Sequence, residues 1–166
     1  MNNDNDMVKE VLWRQFKPSL KMISKVIETC PKAIWAQRNI DPPIWQQVYH
    51  VLYSIDYWFS ETKQAFEKPV FNKEVNSVLG ETSPNFIEQE DMVAYLKFVE
   101  EKAHSFFMKL NSQTVTEASN LYVKWSNLDV VLEQFRHLQH HMGYLNRVLL
   151  KCKIKPVEWE LYEEEG

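Results

Sequence analysis

Apolar positions recur with helical spacing in four long stretches of the chain. The first starts near Met7 and carries Val8, Val11, Leu12, Phe16, Leu20, Ile23 and Ile27, with Pro31 marking its end. Pro18 lies inside it and predicts a kink, because proline lacks an N–H and crowds the preceding turn. Residues 31–41 read as a connection with an exposed aromatic, Trp35. In the second stretch Asp41 reads as the cap, with Pro42 or Pro43 in the first turn, and the helix continues to about Phe66. Trp45, Val48, Tyr49, Leu52, Ile55, Trp58 and Phe59 make it apolar nearly all round, the pattern of a central helix. The third runs from Phe86 or Glu88 to Leu110 through Met92, Tyr95, Leu96, Val99, Ala103, Phe106 and Phe107.

The fourth stretch takes Ser126 or Asn127 as its cap and Asp129 in its first turn. It carries Phe135, Leu138, Met142, Leu145 and Leu149, ends near Lys153 with lysines suited to its C-terminal dipole, and is stopped by Pro156. Two long connections, 67–86 and 111–126, separate the later helices. The first, at about twenty residues, exceeds the usual loop between packed helices, so it carries a helical turn, crosses over, or forms a lid. Residues 1–6 read as a disordered polar tail. Residues 156–166 read as an extension in which Val157, Trp159 and Leu161 alternate with acidic residues, predicting a short strand or an extended segment across the helices. The expected architecture is all-α: one domain over 1–166, built as a four-helix bundle.

Composition narrows the function classes. Three glycines in 166 residues, with no GxGxxG and no GxxxxGK[ST], argue against a phosphate-binding loop. A net charge of −4 without a basic run weighs against nucleic acid and anionic membrane surfaces. No apolar run approaches a membrane span, and the polar, acidic start lacks the pattern of a signal peptide. Cys30 and Cys152 form no CxxC and suggest a reducing, cytoplasmic setting.

The candidate chemistry is in the histidines. His137, His140 and His141 crowd the fourth helix, and His50 and His104 lie on the second and third. Helix positions four apart lie about 40° apart around the axis and about 6 Å along it, so His137 and His141 share a face. His140 points roughly 100° from His141. His50 lies on a polar seam with Gln46, Gln47, Tyr53, Ser54 and Tyr57. Read alone, such histidines are as well explained by a solvated or packing face. A zincin is excluded because Leu138, not glutamate, follows His137. A di-iron carboxylate site is excluded because Glu101–His104 is a single ExxH, and His104 reads as a surface or packing residue. One histidine on the second helix and HxxxH on the fourth remain. Three imidazoles suit zinc, nickel, iron or copper, and ligand type does not choose among them.

Two segments resemble the DinB/YfiT-like superfamily: PPIWQQVYHVLYSIDYWF at the second helix and HLQHHMGYLNRVL on the fourth. The superfamily pairs a histidine on an aromatic-rich helix with a later HxxxH, often followed as HHRGQ. Here that run is His140-His141-Met142-Gly143-Tyr144, so methionine replaces the arginine and tyrosine the glutamine. By helix order the resemblance covers nearly the whole chain, but only these segments are distinctive. It implies a variant of the up-and-down four-helix bundle, often dimeric, with a divalent metal (zinc, nickel or iron) held by His50, His137 and His141. Gly143 would permit close helix packing beside the site.

The activity it implies is a thiol-dependent S-transferase or a hydrolase acting on a small molecule, the former with a low-molecular-weight thiol as co-substrate. Tyr53 and Tyr144, each one turn from a ligand, are candidate hydrogen-bond donors. The alternative is a non-enzymatic, stress-related metal-binding bundle acting through dimer or protein contacts, with exposed aromatics and the acidic tail as its surface.

Overall fold

The computed structural model describes residues 4–37, 39–40, 42–71 and 73–162. These are all-helical: α1 (Asp4–Thr29), α2 (Lys32–Trp35), α3 (Ile44–Trp58), α4 (Gln89–Met108) and α5 (Asn127–Lys151), with a 3-10 turn at Thr114–Thr116. Among the described residues no strand forms, and one isolated bridge joins Ala118 to Ser126. No helix is long and apolar enough to cross a membrane.

The apolar stripes meet in one core. Phe16, Leu20, Ile23 and Ile27 of α1, Val48, Leu52 and Ile55 of α3, Met92, Val99 and Phe107 of α4, and Leu138, Met142, Leu145 and Leu149 of α5 are all buried. The helix α1 packs on α4 and α5, and α3 packs on the same two. Contacts along the helices give their directions. Phe16 meets Phe135 and Ser19 meets Gln139, so α1 and α5 are parallel. Trp13 meets His104 while Gln89 bonds the Ile27 and Cys30 carbonyls, so α1 and α4 are antiparallel. Tyr49 meets Tyr95 and Phe59 meets Phe106, so α3 and α4 are parallel. Gln47 meets His141 and Ser54 meets Gln134, so α3 and α5 are antiparallel.

The parallel pair explains the long connection. The 15 residues of α3 span about 22 Å, and the chain must return that length before α4 can begin. On the way back it passes His50. A buried polar group ties α3 to α4: Asp56, 1% exposed, accepts from Tyr95 Oη at 2.8 Å and from Lys102 Nζ at 2.5 Å.

Several sequence expectations need correction. The helix α1 begins at Asp4, so the polar residues 4–6 belong to it, and residues 1–3 lie outside the described residues. Pro18 lies within α1, as its position in the apolar stripe predicts, and the helix continues on both sides of it. Trp35 is buried, not exposed: α2 turns it inward and its Nε1–H donates to the Ile87 carbonyl at 2.7 Å. An indole is stable inside once its single polar atom has such a partner. Pro43 takes the N-cap position of α3, and the expected cap, Asp41, lies outside the described residues. The helix α3 stops at Trp58, not Phe66, because residues 61–65 are all exposed and offer no apolar face, while Ser60 Oγ turns back onto the Asp56 carbonyl.

At α5 the Ser126 hydroxyl accepts from Asp129 N–H and the Asp129 carboxylate accepts from Ser126 N–H, a reciprocal cap. That helix ends at Lys151, where Lys153 takes φ +60° and Ile154 N–H closes on the Leu149 carbonyl. Residues 156–162 are extended across α5 and α1. Asn146 pairs with both backbone groups of Val157, Lys21 and Lys25 hold Glu160, and Arg14 donates to Tyr162 Oη. Trp159 and Leu161 of this segment stay exposed.

The burial of Trp35 has a measurable consequence. Trp35→Ala should lower unfolding free energy by about 3–5 kcal/mol, the usual cost of emptying a large aromatic site. Urea unfolding followed by far-ultraviolet circular dichroism reads this, and a loss below about 1 kcal/mol would return Trp35 to the surface.

Candidate metal centre

Three imidazoles meet where α3 and α5 pack. His50 comes from the middle of α3, and His137 and His141 come from one face of α5, a turn apart. One nitrogen from each lies within 4.8 Å of the other two. The ring centroids are 5.0 Å apart for His50 and His137, 4.9 Å for His50 and His141, and 4.6 Å for His137 and His141. Among the described residues no fourth ligand joins the group.

Hydrogen bonds orient two of the rings. His50 Nδ1 lies 3.0 Å from the Ser77 carbonyl oxygen, which can only accept. The proton of His50 is therefore on Nδ1, and its Nε2 lone pair faces the centre. His141 Nδ1 lies 2.6 Å from Gln47 Oε1 and donates to it, leaving the Nε2 lone pair of His141 free. His137 differs. Its Nδ1 is buried with no partner among the described residues, and its Nε2 lies 3.1 Å from His50 Nε2.

His137 therefore has two arrangements. With its proton on Nε2 it donates to His50 Nε2. With the proton on Nδ1, three lone pairs converge, which is a ligand set. A spacing of 3.1 Å suits both arrangements: it is a hydrogen-bond length, and two nitrogens bound at about 2.0–2.1 Å to one ion at a near-right angle also lie roughly 3 Å apart. The donor set, three neutral imidazoles brought together, fits a divalent cation.

Electrostatics keep all three rings neutral near pH 7. Burial lowers the pKa of His50, partly offset by its bond to Ser77. Burial, then the neighbouring His50, brings His137 down to about 4. Burial, then His137 and His50, brings His141 down to about 3. Neutral imidazoles are the form that binds metals.

The surroundings are polar in a line along α3. Ser54 donates to Gln134 Oε1 at 2.9 Å, one turn from His50 and His137. Tyr53 packs edge-on against Tyr49 and Phe66, and Tyr144 is half-buried against the core. His140 is exposed on a neighbouring face of α5, its ring 5.1 Å from that of His141. His104 is exposed, with its ring edge-on to Trp13. Gly143 is also exposed, and a Cβ there would meet nothing within 4 Å, so it serves no close helix packing. Cys30 and Cys152 are free thiols, and burial pushes the Cys30 pKa up to about 11. A cavity of about 840 Å³ between α1 and α4, with His104 in its wall, lies away from His50, His137 and His141.

Gln47 was visible in the sequence as part of the polar seam. Ser77 was not, because the contact uses its backbone carbonyl, which any residue carries. No family model matches the chain, and no curated protein or solved structure matches it either.

Two expectations follow. His50→Ala, His137→Ala and His141→Ala should each bind little metal, since three protein ligands leave none in reserve. His140→Ala should keep stoichiometric metal, as should Cys152→Ser. Metal content and affinity of the purified variants decide, and an empty His140→Ala beside a full His141→Ala would move the ligand pair to His137 and His140.

The second concerns metal-free protein. His137 and His141 have native pKa values of about 4 and about 3 against an ordinary 6.5, so the unfolded chain takes up protons first as pH falls. Stability should be complete above pH 6.5 and decline from there toward pH 3. Urea midpoints at intervals between pH 7.5 and 4.5 would read the slope, which His141→Asn should flatten.

Proposed function

We propose that this chain is a metal-dependent enzyme of the DinB/YfiT-like class, with a divalent ion held by His50, His137 and His141. The observation that carries the reading is the convergence of three imidazole nitrogens within 4.8 Å, two of them with their outer nitrogens engaged by Ser77 and Gln47. Second-layer bonds of this kind fix the tautomer and ring angle that a ligand needs. The four long helices, with α1 parallel to α5 and α3 parallel to α4, suit the four-helix bundle variant that the resemblance implies.

The reaction proposed is transfer of a low-molecular-weight thiol to a small molecule, or hydrolysis of one. When bound, a divalent cation lowers the pKa of a water or thiol beside it and stabilises developing negative charge. The protein's own groups do the rest. Burial of the three rings keeps them neutral, Ser77 and Gln47 hold two of them in register, and three donors leave room for a small-molecule partner. A closed fourth protein ligand would instead suit a structural, non-catalytic bundle. Tyr53 and Tyr144, three residues beyond His50 and His141, are the proposed hydrogen-bond donors. Burial raises the Tyr53 pKa, so its hydroxyl keeps its proton at neutral pH. The resemblance also points to a homodimer, which light scattering would refute by finding only a 19.9 kDa species.

The deciding experiment uses protein purified without a histidine tag, stripped by chelator and reloaded in turn with zinc, nickel and ferrous iron. Thiol transfer to an electrophilic small molecule and ester hydrolysis are assayed in parallel. Activity should vanish on stripping and return with a metal. Full activity in rigorously metal-free protein would overturn the proposal.

A further inference from the structure

The segment that passes His50 is a built structure. Within it Asn76 Oδ1 accepts from Val78 N–H at 2.9 Å, Asn76 Nδ2 donates to Glu81 Oε2 at 2.8 Å, and Asn76 N–H donates to Ser83 Oγ at 3.1 Å. Gly80 has φ +82°, a left-handed value that favours glycine, and its turn is open on the side where a Cβ would stand. The result is a compact strap with the Ser77 carbonyl turned toward α3.

One side chain fastens this strap. Gln46, 3% exposed on α3 and one turn before His50, has its amide nitrogen 3.1 Å from the Asn76 carbonyl oxygen, 3.0 Å from that of Val78 and 3.0 Å from that of Glu81. Asn76 and Val78 flank Ser77 on both sides. The two N–H groups of this buried amide, shared among three carbonyls, fix the peptide units around Ser77. The oxygen of Ser77 is thereby left to face His50 Nδ1.

We propose that Gln46 is a positioning residue for the histidine centre, acting through the 76–81 strap to seat the Ser77 carbonyl on His50 Nδ1. This rests on the metal-centre reading for its consequence but not for its geometry. With the amide in place, His50 is held with its proton on Nδ1 and Nε2 open. Without it the strap is free to withdraw, and His50 takes its proton on either nitrogen. A ring with Nε2 protonated cannot offer that nitrogen as a ligand.

The test is Gln46→Met, which keeps length and apolar contact and removes the donor. The first readout is the His50 tautomer in metal-free protein at pH 7.5, from two-bond 15N–1H correlation of the imidazole. In the parent chain His50 should be wholly Nδ1-protonated, and in Q46M it should show both tautomers. The second readout is cobalt(II) affinity by visible absorption, expected to weaken by about 10–100-fold in Q46M, the usual effect of losing an outer ligand support. Circular dichroism checks the fold. Should Q46M fail to fold, Gly80→Ala strains the same strap without touching α3, and the same two shifts are expected.

A folded Q46M with His50 still wholly Nδ1-protonated and cobalt affinity within twofold of the parent would overturn the proposal. A parent chain that binds no cobalt, yet whose His50 tautomer is lost in Q46M, would sink the metal-centre reading and support the positioning role.

Discussion

Neutral imidazoles facing one another across a half-buried gap are the constraint on which the rest of this structure turns. A histidine in water rotates, exchanges tautomers and takes a proton near pH 6.5. Here burial suppresses protonation, and two fixed acceptors choose the tautomer for His50 and His141. Each acceptor has its own source. Gln47 comes from α3 itself, so His141 is tied to the helix opposite its own. The Ser77 carbonyl comes from the crossover, so His50 is tied to a segment 27 residues along the chain. The parallel relation of α3 and α4 is what sends that segment past His50. A short hairpin between antiparallel helices would leave the Nδ1 of His50 without this partner.

Much of this was legible in the sequence, for reasons of spacing. Four apolar stripes of period 3.6 gave four long helices, and the i,i+4 pair His137 and His141 falls on one face by helix geometry alone. The reciprocal cap of Ser126 and Asp129 is written in the order of those two residues. What escaped were features decided by tertiary partners. Trp35 looked exposed because it falls in a short connection outside the four long apolar stripes, but the Ile87 carbonyl, 52 residues away, accepts its N–H. The end of α3 was set too late because Phe66 looks like one more apolar position. It packs instead beside Tyr53 and Tyr57 from a segment that has already left the helix. Gly143 looked like a contact point, yet it faces open space, so its presence on α5 has no packing explanation.

The helix α3 also carries a second line of polarity. Asp56 lies six residues after His50, about 120° around the axis, and so faces α4 while His50 faces α5. It is almost completely buried and is met there by Lys102 and Tyr95. Apolar faces tolerate small slips, because one leucine-sized contact replaces another. Buried polar groups do not. A one-turn slip of α3 against α4 would strand the Asp56 carboxylate, and breaking a buried pair this way costs about 3–5 kcal/mol. A one-turn slip against α5 would part His141 from Gln47 and Ser54 from Gln134, each leaving a buried polar atom unmatched. The two lines thus fix α3 against both neighbours at once. His50 then meets His137 and His141 at one height, and the buried charge on the far side of the helix belongs to the construction of the site without touching it.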